Sequence, residues 1–277
     1  MAIFDFDLSV AKLKALDRYT FDDFCLLVEV LRHERGCPWD REQTHKSIRK
    51  NMIEEAYEAA EAIDIDNPEL LCEELGDVML QTLLHSSISN ANGGFDVTDV
   101  ITGICKKLII RHPHVFGDVR VSSTGEVLSN WESIKQATKG AKTATDSIAG
   151  ISKALPALMR AHKIGQKAAK QNFDFASAEE ALCKAEEEIR ELREALVVGD
   201  AQHIEEEAGD LLLAVVNTAR LAGLDSEEAL HKANEKFCKR FALVEKRALS
   251  DGCELKEKSA KEMLELWENA KETAKNT

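Results

Sequence analysis

The chain has 277 residues, enough for one large domain or two smaller ones, and 44% of them are hydrophobic, so a substantial core can form. Its formal net charge is −14, and an acidic chain repels the phosphate backbone of nucleic acids, so we expect no general binding of DNA or RNA. No segment has the roughly 18 uninterrupted apolar residues that a membrane span needs. Seven singly spaced cysteines without a CxxC motif argue against a disulfide framework or a thiolate zinc site and favour a cytoplasmic protein.

Few aromatic residues (5%) and long stretches rich in Ala, Leu, Glu and Lys predict an all-α protein. The first predicted helix is opened by a capping box of Thr20 and Asp23 and ends at Gly36. The segment GCPWD (36–40) is predicted to be a loop, and only a piece near 115–121 has an alternating pattern that suits a short strand. The remaining helices predicted in this half span residues 44–64, 68–90, 97–111 and 126–138.

A polar stretch of weak periodicity, KGAKTATDSIAG, is predicted to be a linker. Beyond it, a last helix is opened by a capping box of Ser259 and Glu262 and holds Trp267. The other helices predicted in this half span residues 155–171, 177–198, 202–222 and 226–249. The sequence therefore predicts two tandem helical-bundle modules, an N-terminal one over 20–138 and a C-terminal one over 153–275, joined by a linker over 139–152.

An internal repeat of acidic residues relates the two halves of the chain. The motif EExxE occurs at 54–58 and again at 187–191, and each copy is followed by ExxD, at 74–77 and at 207–210. All matched positions are 133 residues apart, and each ExxD leads into an apolar run. An EExxE motif alone is usually a solvated helix face, but five acids repeated in one register argue against that interpretation.

The spacing of the acids predicts a metal site. Residues three apart in a helix lie one turn apart, so Glu55 and Glu58 can reach a common point opposite Glu74 and Asp77 of the next helix. Clustered carboxylates repel one another unless they are protonated, paired with basic side chains or bound to cations. Because Mg²⁺ prefers carboxylates, water and phosphate together, these four acids are predicted to hold Mg²⁺ against a phosphate-bearing ligand.

The helix over 68–90 is apolar around almost its whole circumference, which predicts a central helix with one polar stripe that includes Gln81 and His85. Gly76 and its counterpart Gly209 stand between the Glu and the Asp of ExxD, although a mid-helix glycine costs about 1 kcal/mol relative to alanine. Close approach of a neighbouring helix is the favoured explanation, and close approach of a ligand is the alternative.

Four segments together with the duplicated acids resemble the MazG family of nucleoside triphosphate pyrophosphohydrolases, from about residue 20 to about residue 270. The segments are GCPWDREQTHKSI (36–48), KKLIIRHPHVFGD (106–118), LPALMRAHKIGQKA (155–168) and KANEKFCKRF (232–241). The resemblance implies tandem helical modules, a homodimer, Mg²⁺ dependence, and hydrolysis of NTPs or dNTPs to the monophosphate and pyrophosphate. It also implies that the C-terminal module is the main catalytic one.

Site residues of the C-terminal module follow from the same resemblance. The residues that it implies as metal ligands are Glu188, Glu191, Glu207 and Asp210, with Glu187 as a further acid beside them. It associates Lys184, the segment 234–238, which holds Asn234 and Lys236, and Trp267 with the nucleotide. Stacking of Trp267 on a base and burial of Trp267 at the dimer interface are both open.

Three further roles follow from the residues. Asn217 lies two turns past Asp210 on the same stripe, where an amide can read a sugar or a base, whereas the N-terminal module has Leu84 there; an amide satisfied by neighbouring backbone is the alternative. Lys236 is our candidate for offsetting the charge of the leaving pyrophosphate. Glu187 or Glu188 is our candidate for the general base.

Other functions are compatible with the pattern. A relative with a narrow substrate, such as a dNTP or phosphoribosyl-nucleotide pyrophosphohydrolase, would keep the same acids. A non-enzymatic acidic helical scaffold that binds a partner is the other alternative, and it would hydrolyse no nucleotide. The N-terminal motif is undamaged, so the residues alone do not exclude activity in that module.

Overall fold

The structure, a computed structural model, describes residues 4–139 and 143–273, and all regular secondary structure in these ranges is helical. The chain divides into two compact units, Met1–Lys135 and Gln136–Thr277. The predicted fold class, all-α with two tandem helical units, is confirmed. The predicted module limits and the linker limits stay predictions. No helix of the described residues is long and apolar enough to cross a membrane.

The N-terminal unit is built around a pair of long helices, α4 (Arg49–Asp64) and α5 (Pro68–Ala91), which pack against each other along their lengths. Helix α2 (Phe21–Arg32) packs on α5 from one side, and α6 (Val97–Arg111) follows α5 in the chain and contacts it. The helices of this unit are α1 (Phe6–Lys14), α2 (Phe21–Arg32), α3 (Pro38–Glu42), α4 (Arg49–Asp64), α5 (Pro68–Ala91), α6 (Val97–Arg111), α7 (Pro113–Phe116) and α8 (Thr124–Lys139), which runs past the unit boundary.

Local hydrogen bonds explain where these helices begin. Thr20 and Asp23 form the predicted capping box of α2, with the backbone N–H of Asp23 donating to Thr20 Oγ1 at 3.3 Å. Asn67 caps α5, and Pro68 occupies the first helical position, where its missing N–H costs nothing. The start at Asn67 fixes the position of Glu74 and Asp77 along α5.

The core of the N-terminal unit lies at one end of the α4–α5 pair. Its buried residues are Val28, Ile48, Leu83, Leu84 and Ile88. Helix α5 packs against α4, α2 and α6, as expected of a central helix, but Leu75 and Met79 in its first half are 50% and 43% exposed. Only the second half of α5 is enclosed, so its first half, which carries ExxD, faces outward.

The C-terminal unit repeats this arrangement with a second long pair, α11 and α12, flanked by α10 and α13. Gly199, at a φ of 79°, ends α11, and Asp200 caps α12 two residues later. Buried alanines such as Ala181, Ala185 and Ala214 let the helices approach closely. The helices of this unit are α9 (Ala144–Ala149), α10 (Ala157–Ala169), α11 (Ala178–Val198), α12 (Ala201–Leu221), α13 (Ser226–Ser250) and α14 (Ala260–Thr273), with a 3₁₀ turn at Leu255–Glu257.

Several local predictions differ from the structure. No strand forms near 115–121, since Pro113 starts the short helix α7 there. The predicted loop GCPWD contains the start of α3, again opened by a proline at its first position. The predicted linker contains α9, which is held by a capping box of Thr143 and Asp146, while residues 140–142 lie outside the described residues.

Candidate active site

A tight group of three carboxylates lies between α11 and α12, and we call Glu188, Glu207 and Asp210 the C-terminal cluster. One carboxylate oxygen from each residue lies within 4.8 Å of the others. Glu188 and Glu207 are only 4% and 9% exposed, whereas Asp210 is exposed. Two of the predicted metal ligands are therefore buried acids, which are rare without a partner.

Lys184, one turn before Glu188, supplies part of the compensating charge. Its Nζ lies 2.8 Å from Glu188 Oε1 and 3.0 Å from Glu187 Oε1. The hydrogen bond from Lys184 lowers the pKa of Glu188, and the same bonds, to Glu188 first and then to Glu187, raise the pKa of Lys184. Glu188 is thus held ionised although it is buried.

The second carboxylate oxygen of Glu188, Oε2, has different surroundings from Oε1. Glu188 Oε2 is buried and has no hydrogen-bond partner among the described residues. An ionised oxygen left in that condition is costly, so it calls for a cation or a donor that the chain does not itself supply. Carboxylate oxygens are the ligands that Mg²⁺ prefers, and the three acids of the cluster fit such an ion.

His203 is a neighbour of the site that the sequence reasoning missed. It lies one turn before Glu207 on α12, and its Nε2 is 3.0 Å from Glu207 Oε1. The i,i+4 spacing of His203 and Glu207 was the available signal, and Leu70 occupies the matching position of the N-terminal unit. A ring nitrogen in this position can orient a carboxylate that holds a metal.

Glu191, the fourth predicted ligand, lies beside the cluster without belonging to its tightest group. Its side chain is half-buried, and burial, followed by its side-chain contact with Glu188 and the charge of Glu188, raises its pKa. Glu188 and Glu207 both interact electrostatically with Glu191, so the four predicted ligands are brought to one place.

The N-terminal cluster consists of Glu55, Glu58 and Glu74, with one oxygen of each within 4.8 Å of the others. Asp77 stands just outside, and burial followed by its charge raises the pKa of Glu55. Burial followed by the charge of Glu58 raises the pKa of Glu74. Within the described chain none of these four acids forms an ion pair, so the cluster is a site of uncompensated negative charge.

The surroundings of the N-terminal cluster are also distinct. Gln81 Nε2 donates to Glu55 Oε1 at 3.3 Å, so one acid is already engaged by an amide. Glu58 is exposed, whereas its counterpart Glu191 is half-buried. The two clusters thus share a motif and a position in the fold but differ in burial and in partners.

The predicted nucleotide-binding residues do not all converge on the C-terminal cluster. Asn217 lies on α12, and its Oδ1 accepts hydrogen bonds from Arg220. Asn234 and Lys236 are exposed on α13, and no hydrogen bond or ion pair among the described residues joins them to the cluster. The ring of Trp267 packs on Phe237, with centroids 5.1 Å apart.

The favoured explanation for the two repeated glycines is wrong within the described chain. A Cβ atom added at Gly76 or at Gly209 would meet nothing within 4 Å, so no neighbouring helix requires glycine there. The alternative explanation, close approach of a ligand to the helix backbone, stays a prediction.

Fold and sites together define a class of protein, an all-α protein with two helical pairs, each of which carries a cluster of carboxylates. The sequence model of the "MazG nucleotide pyrophosphohydrolase domain" matches residues 43–116 and 176–243, one match on each pair. The chain belongs to the MazG family of nucleotide pyrophosphohydrolases and is an enzyme, as the resemblance of its motifs predicted.

Relatives of known name agree with this membership. The chain is 43% identical to the "nucleoside triphosphate pyrophosphohydrolase/pyrophosphatase MazG" of Thermotoga maritima, over 91% of the chain and 95% of that relative. It is 40% identical to the nucleoside triphosphate pyrophosphohydrolase of Escherichia coli K12, over 86% of the chain and 91% of that relative. It is also 42% identical to the uncharacterized protein YabN of Bacillus subtilis, of which it covers 53%.

Proposed function

We propose that the protein hydrolyses nucleoside triphosphates, NTPs or dNTPs, to the monophosphate and pyrophosphate in a Mg²⁺-dependent reaction, with its main active site at the C-terminal cluster. The observation that carries this proposal is the buried, ionised Glu188 whose Oε2 lacks a partner beside Glu207 and Asp210. The names of the relatives from T. maritima and E. coli support the reaction. Housekeeping of the nucleotide pool is the role that we infer for it.

The C-terminal cluster suits hydrolysis in a specific way. Glu188, Glu207 and Asp210, with Glu191 beside them, would hold the metal. Bound Mg²⁺ would neutralise phosphate charge and lower the pKa of a coordinated water. Glu187, half-exposed beside the buried Glu188, and Glu188 itself are our candidates to accept the proton of the attacking water.

The remaining predicted residues have roles on the substrate side. Lys184 offsets the negative charge of Glu187 and Glu188 when no ligand is present. Lys236 and Asn234, exposed on α13, would contact the phosphates, and Lys236 would offset charge on the departing pyrophosphate. Trp267, packed on Phe237, would support the nucleoside.

A dimer in the cytoplasm is the assembly and location that we propose. All seven cysteines are free thiols, which suits a reducing compartment. Exposed apolar residues on α6 provide a surface for a second copy.

The first test compares single carboxylate variants at equivalent positions of the two units. Glu207→Gln removes one charge from the C-terminal cluster, and Glu74→Gln is the matched change in the N-terminal cluster. We expect Mg²⁺-dependent pyrophosphate release to fall on the order of a hundredfold or more in Glu207→Gln and to stay within a few-fold of wild type in Glu74→Gln.

Normal turnover by Glu207→Gln would contradict the assignment to the C-terminal unit, and loss of activity only in Glu74→Gln would assign catalysis to the N-terminal one. Absence of pyrophosphate release from every nucleotide by the wild type would favour the scaffold alternative. Turnover of a single dNTP within a panel of NTPs and dNTPs would favour the narrow-specificity alternative.

A further inference from the structure

A network of three side chains links the loop before α11 to α12. Arg220 donates from Nη1 to Asp174 Oδ2 at 3.0 Å and from Nη2 to Asp174 Oδ1 at 2.5 Å. The same guanidinium donates to Asn217 Oδ1 from Nε at 3.3 Å and from Nη2 at 3.1 Å. The side chain of Arg220 is only 9% exposed and that of Asp174 22%, so solvent screens the pair little.

This arrangement fixes which way the amide of Asn217 points. A guanidinium carries only N–H donors, so the oxygen of Asn217 must face Arg220 and its NH₂ must face elsewhere. The bidentate pair with Asp174 holds the guanidinium in one orientation, and the guanidinium in turn holds the amide.

Gly165 of α10 makes room for the network. A Cβ atom at this position would lie 2.7 Å from Asn217 Oδ1 and 2.7 Å from Arg220 Nε, closer than real Cβ contacts allow. A glycine is therefore required at this close approach of α10 to α12, and the backbone of α10 closes one side of the amide.

The location of Asn217 relates it to the proposed active site. It follows Asp210 by seven residues on α12, which is two turns or about 10 Å along the same face. The matching positions of the N-terminal unit are Leu84 for Asn217 and Ser87 for Arg220, so that unit lacks the network.

We infer that Asp174 and Arg220 are positioning residues that present the NH₂ of Asn217 as a donor to a hydrogen-bond acceptor on the sugar or base of the nucleotide. This inference rests on the proposed function, because it takes the triphosphate to lie at the C-terminal cluster. Asn217 then recognises the nucleoside in the C-terminal unit, whereas the N-terminal unit has no equivalent side chain.

Asn217→Asp separates this role from a purely structural one. The aspartate keeps an oxygen facing Arg220 and strengthens that contact through its charge, but it loses the NH₂ donor. Binding is measured by calorimetry with Mg²⁺ and a non-hydrolysable nucleoside triphosphate, and with inorganic tripolyphosphate, which has no sugar or base. We expect the Kd of the nucleotide to rise by roughly tenfold, as for loss of a hydrogen bond with an oxygen left unpaired, and the Kd of tripolyphosphate to stay unchanged.

Asp174→Asn tests the positioning residues from the other end of the network. We expect a smaller increase in the Kd of the nucleotide, roughly threefold, because the guanidinium loses its bidentate partner. Asp7→Asn is the matched control, since Asp7 makes the same kind of bidentate pair with Arg35 in the N-terminal unit. The control should bind both ligands like the wild type.

An unchanged nucleotide Kd in Asn217→Asp would overturn the inference, as would equal increases for nucleotide and tripolyphosphate. A lower melting temperature of Asp174→Asn with unchanged nucleotide binding would show that the network serves stability alone, and this result would also overturn the inference. Tight nucleotide binding by a wild type that releases no pyrophosphate would refute the proposed function alone, whereas no nucleotide binding at all would refute both.

Discussion

Glu55 and Glu188 occupy equivalent positions of the two units, but their neighbours shift the pKa values of the two carboxylates in opposite directions. Burial and the nearby acids raise the pKa of Glu55, whereas the hydrogen bond from Lys184 lowers that of Glu188 in spite of its burial. Gln81 occupies one oxygen of Glu55, but Oε2 of Glu188 is left for an outside ligand. The same motif thus places a carboxylate beside an amide donor in the N-terminal unit and a carboxylate with one unpartnered oxygen in the C-terminal unit.

The carboxylate of Asp23 leads to a prediction about how the stability of the fold depends on pH. Its carboxylate bonds Lys12 Nζ at 2.7 Å and Thr20 at the start of α2, and these contacts, that of Lys12 first, lower its pKa from 3.8 to about 2. A lowered pKa means that Asp23 binds a proton less tightly in the folded state than in the unfolded state. The contribution of the Asp23 carboxylate to the free energy of unfolding is therefore fully present above pH 3.8 and is lost as the pH falls toward 2.

The measurement is the melting temperature of wild type and Asp23→Asn between pH 5 and pH 2. We expect the variant to melt lower at pH 5 and the difference to shrink as the pH approaches 2. Asp22→Asn, a change at the exposed neighbour, should melt like the wild type throughout. A difference between Asp23→Asn and wild type that does not depend on pH would contradict this account.

At the scale of helices, α5 and α12 carry glycines that no intramolecular packing explains. Because a Cβ atom at Gly209 meets nothing within 4 Å, Gly209→Ala should raise the stability of the metal-free protein by about 0.5–1 kcal/mol through helix propensity. Gly165→Ala is the matched control of opposite sign, since its Cβ would collide with Asn217 and Arg220. Urea unfolding of the three proteins measures both effects.

Loss of stability in Gly209→Ala would contradict the expectation and indicate that another chain fills the space beside α12. Gain of stability with reduced pyrophosphate release would instead assign the glycine to ligand approach.

Helices were the part of the structure that the sequence predicted best, because their caps are local. Thr20 with Asp23 opens α2, and Asn67 with Pro68 opens α5, through contacts within four residues. Two of the errors fell where prolines opened short helices, at Pro38 and Pro113, since a loop and a one-turn helix have the same composition, and a third fell at the short helix α9 in the predicted linker.

The acids of the site were predictable for a similar reason. A spacing of three residues on a helix places Glu188 with Glu191, and Glu207 with Asp210, on one face each, and the resemblance to the family implied that the two pairs face one site. The network of Asp174, Arg220 and Asn217 could not be predicted, because Asp174 is 46 residues from Arg220 and no local pattern joins them. Long-range side-chain pairs follow from packing, which periodicity does not specify.

For the whole molecule, the exposed apolar surface of the N-terminal unit is the feature that most needs a partner. Six apolar residues of α6 are between 36% and 55% exposed, and these are Val100, Ile101, Ile104, Leu108, Ile109 and Ile110. Exposed apolar side chains in such number on one helix are typical of an interaction site. We therefore predict that a second copy of the chain covers α6.

Light scattering tests this prediction. The wild type should have the mass of a dimer, and Ile104→Glu should shift it toward the monomer because a buried, unpaired charge would oppose the interface. Val197→Glu is the control, since Val197 is 84% exposed on α11 of the other unit. A monomeric wild type, or equal masses for wild type and Ile104→Glu, would contradict the prediction.

The account as a whole depends on a divalent cation at the C-terminal cluster, and anomalous diffraction from crystals soaked in Mn²⁺ with a non-hydrolysable nucleoside triphosphate tests this most directly. The account predicts an anomalous peak for Mn²⁺ within coordination distance of Glu188 Oε2 and of the carboxylates of Glu207 and Asp210, with the triphosphate bound to the same ion. A bound nucleotide with no peak at these three carboxylates, and with Glu188 Oε2 still unpartnered, would contradict it.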